Sequence, residues 1–162
     1  MKKVALIMGS DSDLPVMRKA ADMLRALEVP YEAHVCSAHR TPEGARRFAL
    51  GAREAGFGVI IAAAGLAAHL AGALAANTVL PVIGIPCRSG ALEGLDALLS
   101  TVQMPTGVPV ATVAIDGGGN AALLAARILA LSEPELARRL EEKRQADAEA
   151  VRQKDAAIAE QL

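Results

Sequence analysis

Gly-Val-Ile-Ile-Ala at residues 58–62 is the stretch of sequence that decides the fold. Val59, Ile60 and Ile61 place apolar side chains on both faces of the run, which is typical of a strand in a parallel sheet covered by helices on either side. Four more short apolar runs predict further strands, and they lie at residues 4–8, 31–36, 79–85 and 108–115.

Amphipathic helices are predicted between these strands. Residues 14–27 and 42–55 carry apolar side chains at the three- and four-residue spacing that lines one helix face. The repeated strand-then-helix order implies right-handed crossovers and a mostly parallel sheet. With five strands, we expect an α/β fold of the flavodoxin-like type, a three-layer sandwich with a five-stranded parallel sheet.

The chain has the length of a single domain, 162 residues, and its last part differs in character. Ser132 and Glu135 fit a capping box that opens a helix, with Ser132 as the N-cap. Residues 132–162 are poor in large apolar side chains, so we expect a C-terminal helical extension there. The sequence leaves two interpretations of this arm open: a solvated terminal helix, or an arm that joins subunits.

Composition excludes several classes of partner. Aromatic residues make up 2% of the chain, which removes the stacking platforms of single-strand and RNA-binding modules. The 17 basic and 18 acidic residues give a formal net charge of −1, so no basic surface for a phosphate polymer is expected. We therefore expect no nucleic-acid partner.

Neither a membrane span nor a disulfide is expected. The longest apolar stretch, residues 59–76, is mostly Ala and Gly, contains His69 and lacks basic flanks, so it predicts a buried segment. The N-terminal apolar run ends at Met8, too early for a signal peptide. Because Cys36 and Cys87 form no Cys-x-x-Cys motif, we expect no metal site, a reducing compartment and a cytoplasmic location.

Ligand crevices of such sheets lie at the carboxyl ends of the strands, so the residues after each strand form the candidate site. Gly-Ser-Asp-Ser-Asp at 9–13 follows the first strand, with Ser10, Ser12 and Asp13 just before a helix. This pattern fits a well-capped helix, and it also fits a helix N-terminus that binds a phosphate. Since two carboxylates repel a dianion, we expect the aspartates to cap amides or to bind sugar hydroxyls.

Ser-Ala-His-Arg-Thr-Pro at 37–42 follows the second strand. The Thr-Pro pair predicts the N-cap and first residue of the next helix. His39 is a side chain that can give and take a proton near neutral pH, and Arg40 can bind a phosphate through its planar fork. The cluster of Ser37, His39 and Arg40 therefore indicates a functional site rather than an ordinary polar surface loop.

Signals in the remaining loops are weaker. His69 lies among Ala, Gly and Leu after the third strand, where it is either a core histidine or a site residue. We expect His34, inside the second strand, to be structural, and Cys87 to be no nucleophile. Gly-Gly-Gly-Asn at 117–120 opens a helix but forms no dinucleotide-binding motif. The third strand also lacks the terminal carboxylate that a phosphoacceptor receiver domain needs.

Jointly, these motifs resemble the PurE family of de novo purine synthesis, the 5-(carboxyamino)imidazole ribonucleotide mutases and phosphoribosylaminoimidazole carboxylases. The resemblance is carried, in this order, by residues 9–13, 37–42, 67–70, 98–115 and 120–126. It implies a flavodoxin-like fold, a ribonucleotide substrate, no metal or organic cofactor, and a homo-octamer with active sites between subunits. A functional link to an upstream ATP-dependent synthetase is a further expectation.

Residue by residue, the resemblance implies a site. His39 matches the catalytic histidine, a general acid/base, and His69 a second active-site histidine. The substrate-binding positions are matched by Ser10, Asp13 and Arg40, with Ser12 and Ser37 beside them at the phosphate. The chain departs from the family pattern at Leu66, which replaces a glycine, and at Ala71, which replaces a proline.

The implied reaction moves a carboxylate from the exocyclic nitrogen of the imidazole to the adjacent ring carbon. Arg40 resembles the mutase branch of the family, whereas the branch that uses dissolved carbon dioxide typically has Lys there. The alternatives are that carbon dioxide-using carboxylase and a non-catalytic flavodoxin-like nucleotide-binding module. We also expect the Ala-rich segment 66–76 to pack against a symmetry mate, because its side chains look too small for one subunit to complete.

Overall fold

One five-stranded sheet forms the centre of the computed structural model, which describes residues 1–159 and 161. The strands are β1 (Lys3–Met8), β2 (Tyr31–Val35), β3 (Phe57–Ala64), β4 (Val82–Pro86) and β5 (Ala111–Thr112). They pair in the order β2-β1-β3-β4-β5, and every pairing is parallel. This is the flavodoxin-like order, so the predicted fold class is confirmed.

Six α-helices occur within residues 1–159 and cover the two faces of the sheet. They are α1 (Leu14–Ala26), α2 (Pro42–Gly51), α3 (Leu70–Ala75), α4 (Leu95–Val102), α5 (Gly118–Ala130) and α6 (Pro134–Ala159). Side chains from α1, α5 and α6 build the core on one face, and side chains from α2 and α3 build the core on the other. None of the helices in the described part of the chain has the length and hydropathy needed to span a membrane.

The central strands are buried on both faces because their side chains alternate between the two cores. In β1, Val4, Leu6 and Met8 face the α1–α5 side, while Ala5 and Ile7 face the α2–α3 side. All five are between 0% and 5% exposed. The sequence pattern with apolar side chains on both faces of a strand thus corresponds to two cores, one on each face of the sheet.

The last two strands along the chain, β4 and β5, differ from the sequence expectation in their length. The run at 108–115 contributes only Ala111 and Thr112 to the ladder, and the run at 79–85 begins pairing at Val82. Pro109 and Pro81 precede these starting points, and a proline has no amide hydrogen to donate to a ladder. The predicted ends were wrong because proline, rather than hydropathy, decides where pairing begins.

The C-terminal extension is a single long helix, α6. The expected capping box is wrong: the Ser132 hydroxyl donates backwards to the carbonyl of Leu129, and Glu135 pairs with Arg138 instead of reaching back. Pro134 opens the helix in place of a capped start. Only Leu136 of this helix is buried, and residues 160 and 162 of the predicted arm lie outside the described residues.

The Ala-rich segment after β3 is partly buried within its own subunit. Leu70, Ala71 and Leu74 are buried in the α2–α3 core, against Ala62 of β3 among others. Leu66, Ala67 and Ala76 are exposed, so the expected contact between this segment and a symmetry mate stays a prediction. A short helix of small residues closes on the sheet because small side chains allow close approach.

Candidate active site

The carboxyl ends of the strands surround a cavity of about 590 Å³. Every site residue named from the sequence lines it, together with small residues from the loop after β3. The seven predicted residues are Ser10, Ser12, Asp13, Ser37, His39, Arg40 and His69. Three loops, which follow β1, β2 and β3, therefore bring together residues that are up to 59 positions apart in the sequence.

The first loop, residues 9–13, is held by its own capping box. The backbone amide of Ser10 donates to Oδ2 of Asp13 at 3.2 Å, and the amide of Ser12 donates to the Ser10 hydroxyl at 3.3 Å. The loop then forms one 3-10 turn that runs directly into α1, where Pro15 occupies the first turn. Asp13 thus caps an amide, as the sequence predicts, and leaves two serines at a helix start.

Asp13 and Cys87 form a buried pair of titratable groups behind this loop. Burial raises the pKa of the Asp13 carboxyl above its usual value, against the opposing effect of its hydrogen bond with the Ser10 amide. Burial, reinforced by the nearby Asp13 and Asp116 carboxylates, raises the pKa of the Cys87 thiol to about 12. A thiol held so firmly in its protonated form is no nucleophile, which agrees with the sequence expectation.

The second loop, residues 36–41, is organised by Ser37 and Arg40. The Ser37 hydroxyl accepts from the Arg40 amide at 3.1 Å, and the Thr41 hydroxyl donates to the Ser37 carbonyl at 2.8 Å. The Arg40 guanidinium reaches the carbonyl of Gly9 at 3.4 Å. Arg40 therefore links the second loop to the first, and its exposed fork keeps further N–H groups for a ligand.

Thr41 confirms one half of its prediction. It occupies the N-cap position before Pro42, as the Thr-Pro pair indicates. Its side chain, however, bonds to Ser37 rather than to an amide of α2. The Thr41 carbonyl, rather than its hydroxyl, accepts from the first helix amides, those of Gly44 and Ala45.

The third loop, residues 64–69, has an unusual backbone. Leu66 has a φ of +57°, in the left-handed region that glycine favours, and its side chain is 57% exposed at the cavity. The Leu66 amide donates to the hydroxyl of Ser89 at 3.0 Å. His69 ends the loop, and its Nδ1 lies 3.3 Å from the carbonyl oxygen of Ser100. Contacts from distant residues therefore hold this loop in place.

The cavity combines two chemistries. Its lining offers the Arg40 fork and the hydroxyls of Ser10, Ser12 and Ser37, a set that suits a phosphate monoester. The same lining offers two imidazoles, His39 and His69, together with small apolar residues. The arrangement can bind an anionic nucleotide and move protons on it. In residues 1–159 and 161, no group of three or more His, Cys, Asp or Glu side chains is placed to hold a metal ion.

Sequence reasoning missed Ser89 and placed His34 correctly outside the site. Ser89 lines the cavity and holds the Leu66 amide. It follows β4, so the rule that ligands bind after the strands would have found it, but only Cys87 was singled out there. His34 lies on the exposed edge strand, with its ring 5.6 Å from that of Phe48.

Comparisons with known proteins agree with the family resemblance of the sequence. The family model described as AIR carboxylase matches residues 3–150. An N5-carboxyaminoimidazole ribonucleotide mutase from Pyrococcus abyssi is 60% identical over 145 residues, which cover 90% of this chain and 83% of that protein. A protein of the same name from Mycobacterium tuberculosis is 55% identical over 156 residues, covering 96% of this chain and 90% of its own.

A solved structure agrees as well. The crystal structure of Treponema denticola PurE superposes with a TM-score of 0.86 at 31% identity, covering 95% of this chain and 96% of that one. The resemblance inferred from the sequence motifs is thereby confirmed. On the strength of the family model and these relatives, the chain belongs to the AIR carboxylase family, also called the PurE family.

Proposed function

We propose that this protein converts N5-carboxyaminoimidazole ribonucleotide into 5-amino-4-carboxyimidazole ribonucleotide, an isomerisation in purine biosynthesis. The single observation that carries the proposal is the cavity in which His39 stands beside Arg40 and the three serines. The mutase names of relatives at 55–60% identity support the same reaction.

Phosphate binding falls to Arg40 and the serine hydroxyls. Arg40 gives a charge-assisted contact, and Ser10 and Ser12 stand at the start of a helix, where their hydroxyls can donate to an anion that the helix dipole favours. Asp13 lines the cavity with one oxygen turned towards the Ser10 amide, and a neutral ribose hydroxyl suits its carboxylate better than the anionic phosphate does. The sugar phosphate thus anchors the nucleotide while the base extends towards the histidines.

His39 serves twice in the reaction. First the N–C bond of the substrate's carbamate breaks, carbon dioxide is released, and the His39 imidazolium gives a proton to the exocyclic nitrogen. The electron-rich ring carbon then attacks carbon dioxide, forming the new C–C bond. Neutral His39 removes the proton from that carbon, which restores aromaticity and regenerates the imidazolium. Every proton given is recovered, so no co-reactant is consumed.

Carbon dioxide must stay near the base between these two steps. The third loop supplies an apolar wall of Ala64, Gly65, Leu66 and Ala67, with Leu70 behind it. Carbon dioxide makes no strong hydrogen bond, so a small apolar pocket is the surface that holds it best. Leu66, which replaces the family's glycine, adds apolar area at the mouth of this wall.

The test of the mechanism is a pair of variants, His39→Asn and Arg40→Ala. We expect His39→Asn to keep the Michaelis constant and to lower turnover at least ~100-fold, since it loses the general acid/base. We expect Arg40→Ala to raise the Michaelis constant by about ten- to a hundredfold, the loss of a charged hydrogen bond worth roughly 1.5–3 kcal/mol. Steady-state kinetics on the purified substrate separates the two effects.

Two outcomes would remove parts of the proposal. Near-normal turnover in His39→Asn would take His39 out of the mechanism, and unchanged affinity in Arg40→Ala would place the phosphate elsewhere. Arg46→Ala is the matched charge control, because Arg46 is an exposed arginine of α2 that does not line the cavity. It should leave both constants unchanged.

The reaction assay itself separates the alternatives. Conversion of carboxyaminoimidazole ribonucleotide without ATP, metal or added bicarbonate supports the mutase. Conversion of aminoimidazole ribonucleotide that depends on dissolved carbon dioxide would point instead to the carboxylase. Tight binding without any conversion would leave a nucleotide-binding module.

Assembly is a further part of the proposal: a homo-octamer whose sites are completed by neighbouring subunits. Supporting it, Leu95, Leu99 and Val102 form an outward stripe on α4 and are 52%, 50% and 45% exposed. The spacing of four and three residues puts them on one helix face. A continuous apolar face of this kind is typical of a surface that another protein covers. A single domain at 1–162 in the cytoplasm, linked functionally to an upstream ATP-dependent synthetase, completes the proposal.

The proposed assembly is tested by measuring the molecular mass by light scattering and the activity of the same samples. Leu95→Lys should yield smaller, inactive species, whereas Val151→Lys on the charged outer part of α6 should leave the octamer intact. A chain ending at Ser132 decides the role of the arm: an octamer without activity means that the arm covers the site, and smaller species mean that it holds the assembly. A fully active monomer of any form would contradict shared sites.

A further inference from the structure

The third loop is tied to the C-terminal end of α4 by two hydrogen bonds. The hydroxyl of Thr101 lies 3.1 Å from the carbonyl oxygen of Ala68, and Nδ1 of His69 lies 3.3 Å from the carbonyl oxygen of Ser100. The two contacts involve adjacent residues on each side. Residues 100–101 therefore hold residues 68–69 as a pair.

These contacts determine which nitrogen of His69 carries the hydrogen. The carbonyl of Ser100 has no hydrogen to give, so the bond forms only when Nδ1 is the donor. In the neutral ring, Nε2 is then left with its lone pair. Because His69 lines the cavity, Nε2 is the nitrogen available to a ligand there, as a hydrogen-bond acceptor or a base.

Thr101 is built into the fold more firmly than a surface contact would be. It is 1% exposed, and its one hydroxyl hydrogen is shared between the carbonyl of Ala68 and the carbonyl of Ala97 one turn earlier, which lies 2.7 Å away. Its methyl group occupies the space above Gly84 of β4, where a Cβ atom would overlap Cγ2 of Thr101. The sheet therefore fixes Thr101, and Thr101 fixes the carbonyl that precedes His69.

The opposite side of the imidazole is cleared by Gly72. A Cβ atom at that position would overlap Cε1 of His69 and lie 2.7 Å from its Nε2. The ring thus lies directly on the backbone of α3, where no other residue leaves room for it. With α4 on one side and Gly72 on the other, the ring has one orientation.

We propose that Thr101 is a positioning residue, which holds the loop so that Ser100 keeps His69 in its Nδ1–H form and presents Nε2 to the substrate. The ligand chemistry that fits a bare Nε2 is an N–H or O–H donor, such as the exocyclic amine or a ribose hydroxyl. This inference rests on the proposed function for its substrate, but not for the state of the imidazole.

The central test compares Thr101→Val with Thr101→Ser. Valine keeps the branched shape that fills the notch over Gly84 and removes the hydroxyl, while serine keeps the hydroxyl and loses the methyl. We expect Thr101→Val to lower kcat about three- to tenfold, the factor corresponding to one neutral hydrogen bond, with little change in the Michaelis constant. We expect Thr101→Ser to recover most of that loss despite a lower melting temperature.

Nitrogen-15 NMR of histidine-labelled protein supplies a second readout. Wild type should show His69, assigned by its disappearance in His69→Asn, with a protonated Nδ1 and an unprotonated Nε2. Thr101→Val should shift that pattern towards a mixture of tautomers, and Thr101→Ser should restore it. Gly72→Ala should disturb the same signals by moving the ring directly.

Ile83→Val is the matched control for lost packing. Ile83 is a fully buried neighbour of Gly84 in β4, and its side chain belongs to the α1–α5 core, on the opposite face of the sheet from α3. Its variant should therefore lose stability while keeping the His69 signals and kcat.

Two results would overturn the inference. It is wrong if Thr101→Val leaves the His69 signals and kcat at wild-type values. It is equally wrong if activity in Thr101→Val, Thr101→Ser and Ile83→Val simply follows the melting temperature. The NMR measurement needs no substrate. A wild-type protein without activity would therefore contradict the proposed function, and the NMR spectra would still test the inference about His69.

Discussion

The first and third loops border the same cavity, yet they are held in different ways. In the first loop, residues 9–13, the capping box joins Ser10 to Asp13 across three positions. In the third loop, residues 64–69, the partners Ser89, Ser100 and Thr101 lie 23, 31 and 33 positions away. Apart from the contacts that Gly9 makes with Arg40 and Ala63, the first loop is closed by its own side chains, whereas the third is closed by residues that the fold brings to it.

Backbone strain follows the same division. The first loop has no residue with a positive φ, whereas Leu66 in the third has a φ of +57°. A strained conformation persists only where surrounding contacts determine it, and the third loop has those contacts in Ser89 and α4. We infer that the first loop tolerates small changes and that the third loop does not.

The largest expected effect comes from a pair of glycine variants, Gly65→Ala and Gly9→Ala. A Cβ atom at Gly65 would overlap the Ser89 hydroxyl oxygen, so the alanine displaces Ser89 and breaks its bond with the Leu66 amide. We expect Gly65→Ala to lower the free energy of unfolding by about 1–3 kcal/mol, the usual cost of overpacking. Urea denaturation measures it.

Gly9→Ala is the matched change in the first loop. The nearest atoms to its Cβ would lie at 3.6, 3.7 and 3.8 Å, which is ordinary van der Waals contact. We therefore expect a change within about 0.5 kcal/mol. Equal losses in the two variants would show that the loops do not differ in the way the geometry indicates.

A smaller effect is expected at Leu66. Leu66→Gly and Leu66→Ala both remove the exposed side chain, but only glycine adopts a positive φ without a steric penalty. The glycine variant should therefore be more stable than the alanine variant by about 1 kcal/mol. Thermal unfolding of the two proteins in one buffer provides the comparison, and an alanine variant of equal or greater stability would mean that Leu66 carries no strain.

The fold was largely predictable because its signals are local. Alternating apolar runs and amphipathic stretches occupy neighbouring residues, so they identified five strands, the parallel sheet and the helices between them. The errors fell where a single residue overrides hydropathy, as Pro81 and Pro109 do ahead of β4 and β5. The same holds for Pro134, which opens α6 in place of the predicted Ser132 cap.

Within the site, too, the sequence predicted the features that depend on neighbouring residues and missed the contacts between residues far apart in the chain. The seven lining residues came from three short motifs, and the capping role of Asp13 came from its position before a helix and from the repulsion between carboxylates and a phosphate. The roles of Ser89 and Thr101 could not be predicted in this way, because no motif near either residue indicates a contact with a residue 23 or 33 positions earlier. Only the folded sheet, through β4 and α4, brings them to the third loop.

The smallest expected effect lies in the first loop and depends on pH. Burial raises the pKa of Asp13 above its usual value of 3.8, so the folded state binds a proton more tightly there than the unfolded state does. The contribution of Asp13 to wild-type stability should therefore fall as the pH rises from 3.8 through the raised pKa, and then stay level. In the variant Asp13→Asn the side chain cannot titrate, but its amide oxygen can still accept from the Ser10 amide.

Asp13→Asn should thus gain stability relative to wild type across that acidic window and keep the difference at neutral pH. Urea unfolding at several pH values measures the difference in free energy of unfolding between the two proteins. Because the first loop is closed locally, we expect this difference to change with the titration of Asp13 alone. A gap that moves the other way, with Asp13→Asn losing ground as the pH rises, would mean that the ionised carboxylate stabilises the capping box. In that case the hydrogen bond from the Ser10 amide to the Asp13 carboxylate would stabilise the fold by more than the burial of that carboxylate costs. The stability of the first loop would then depend on the charge of Asp13.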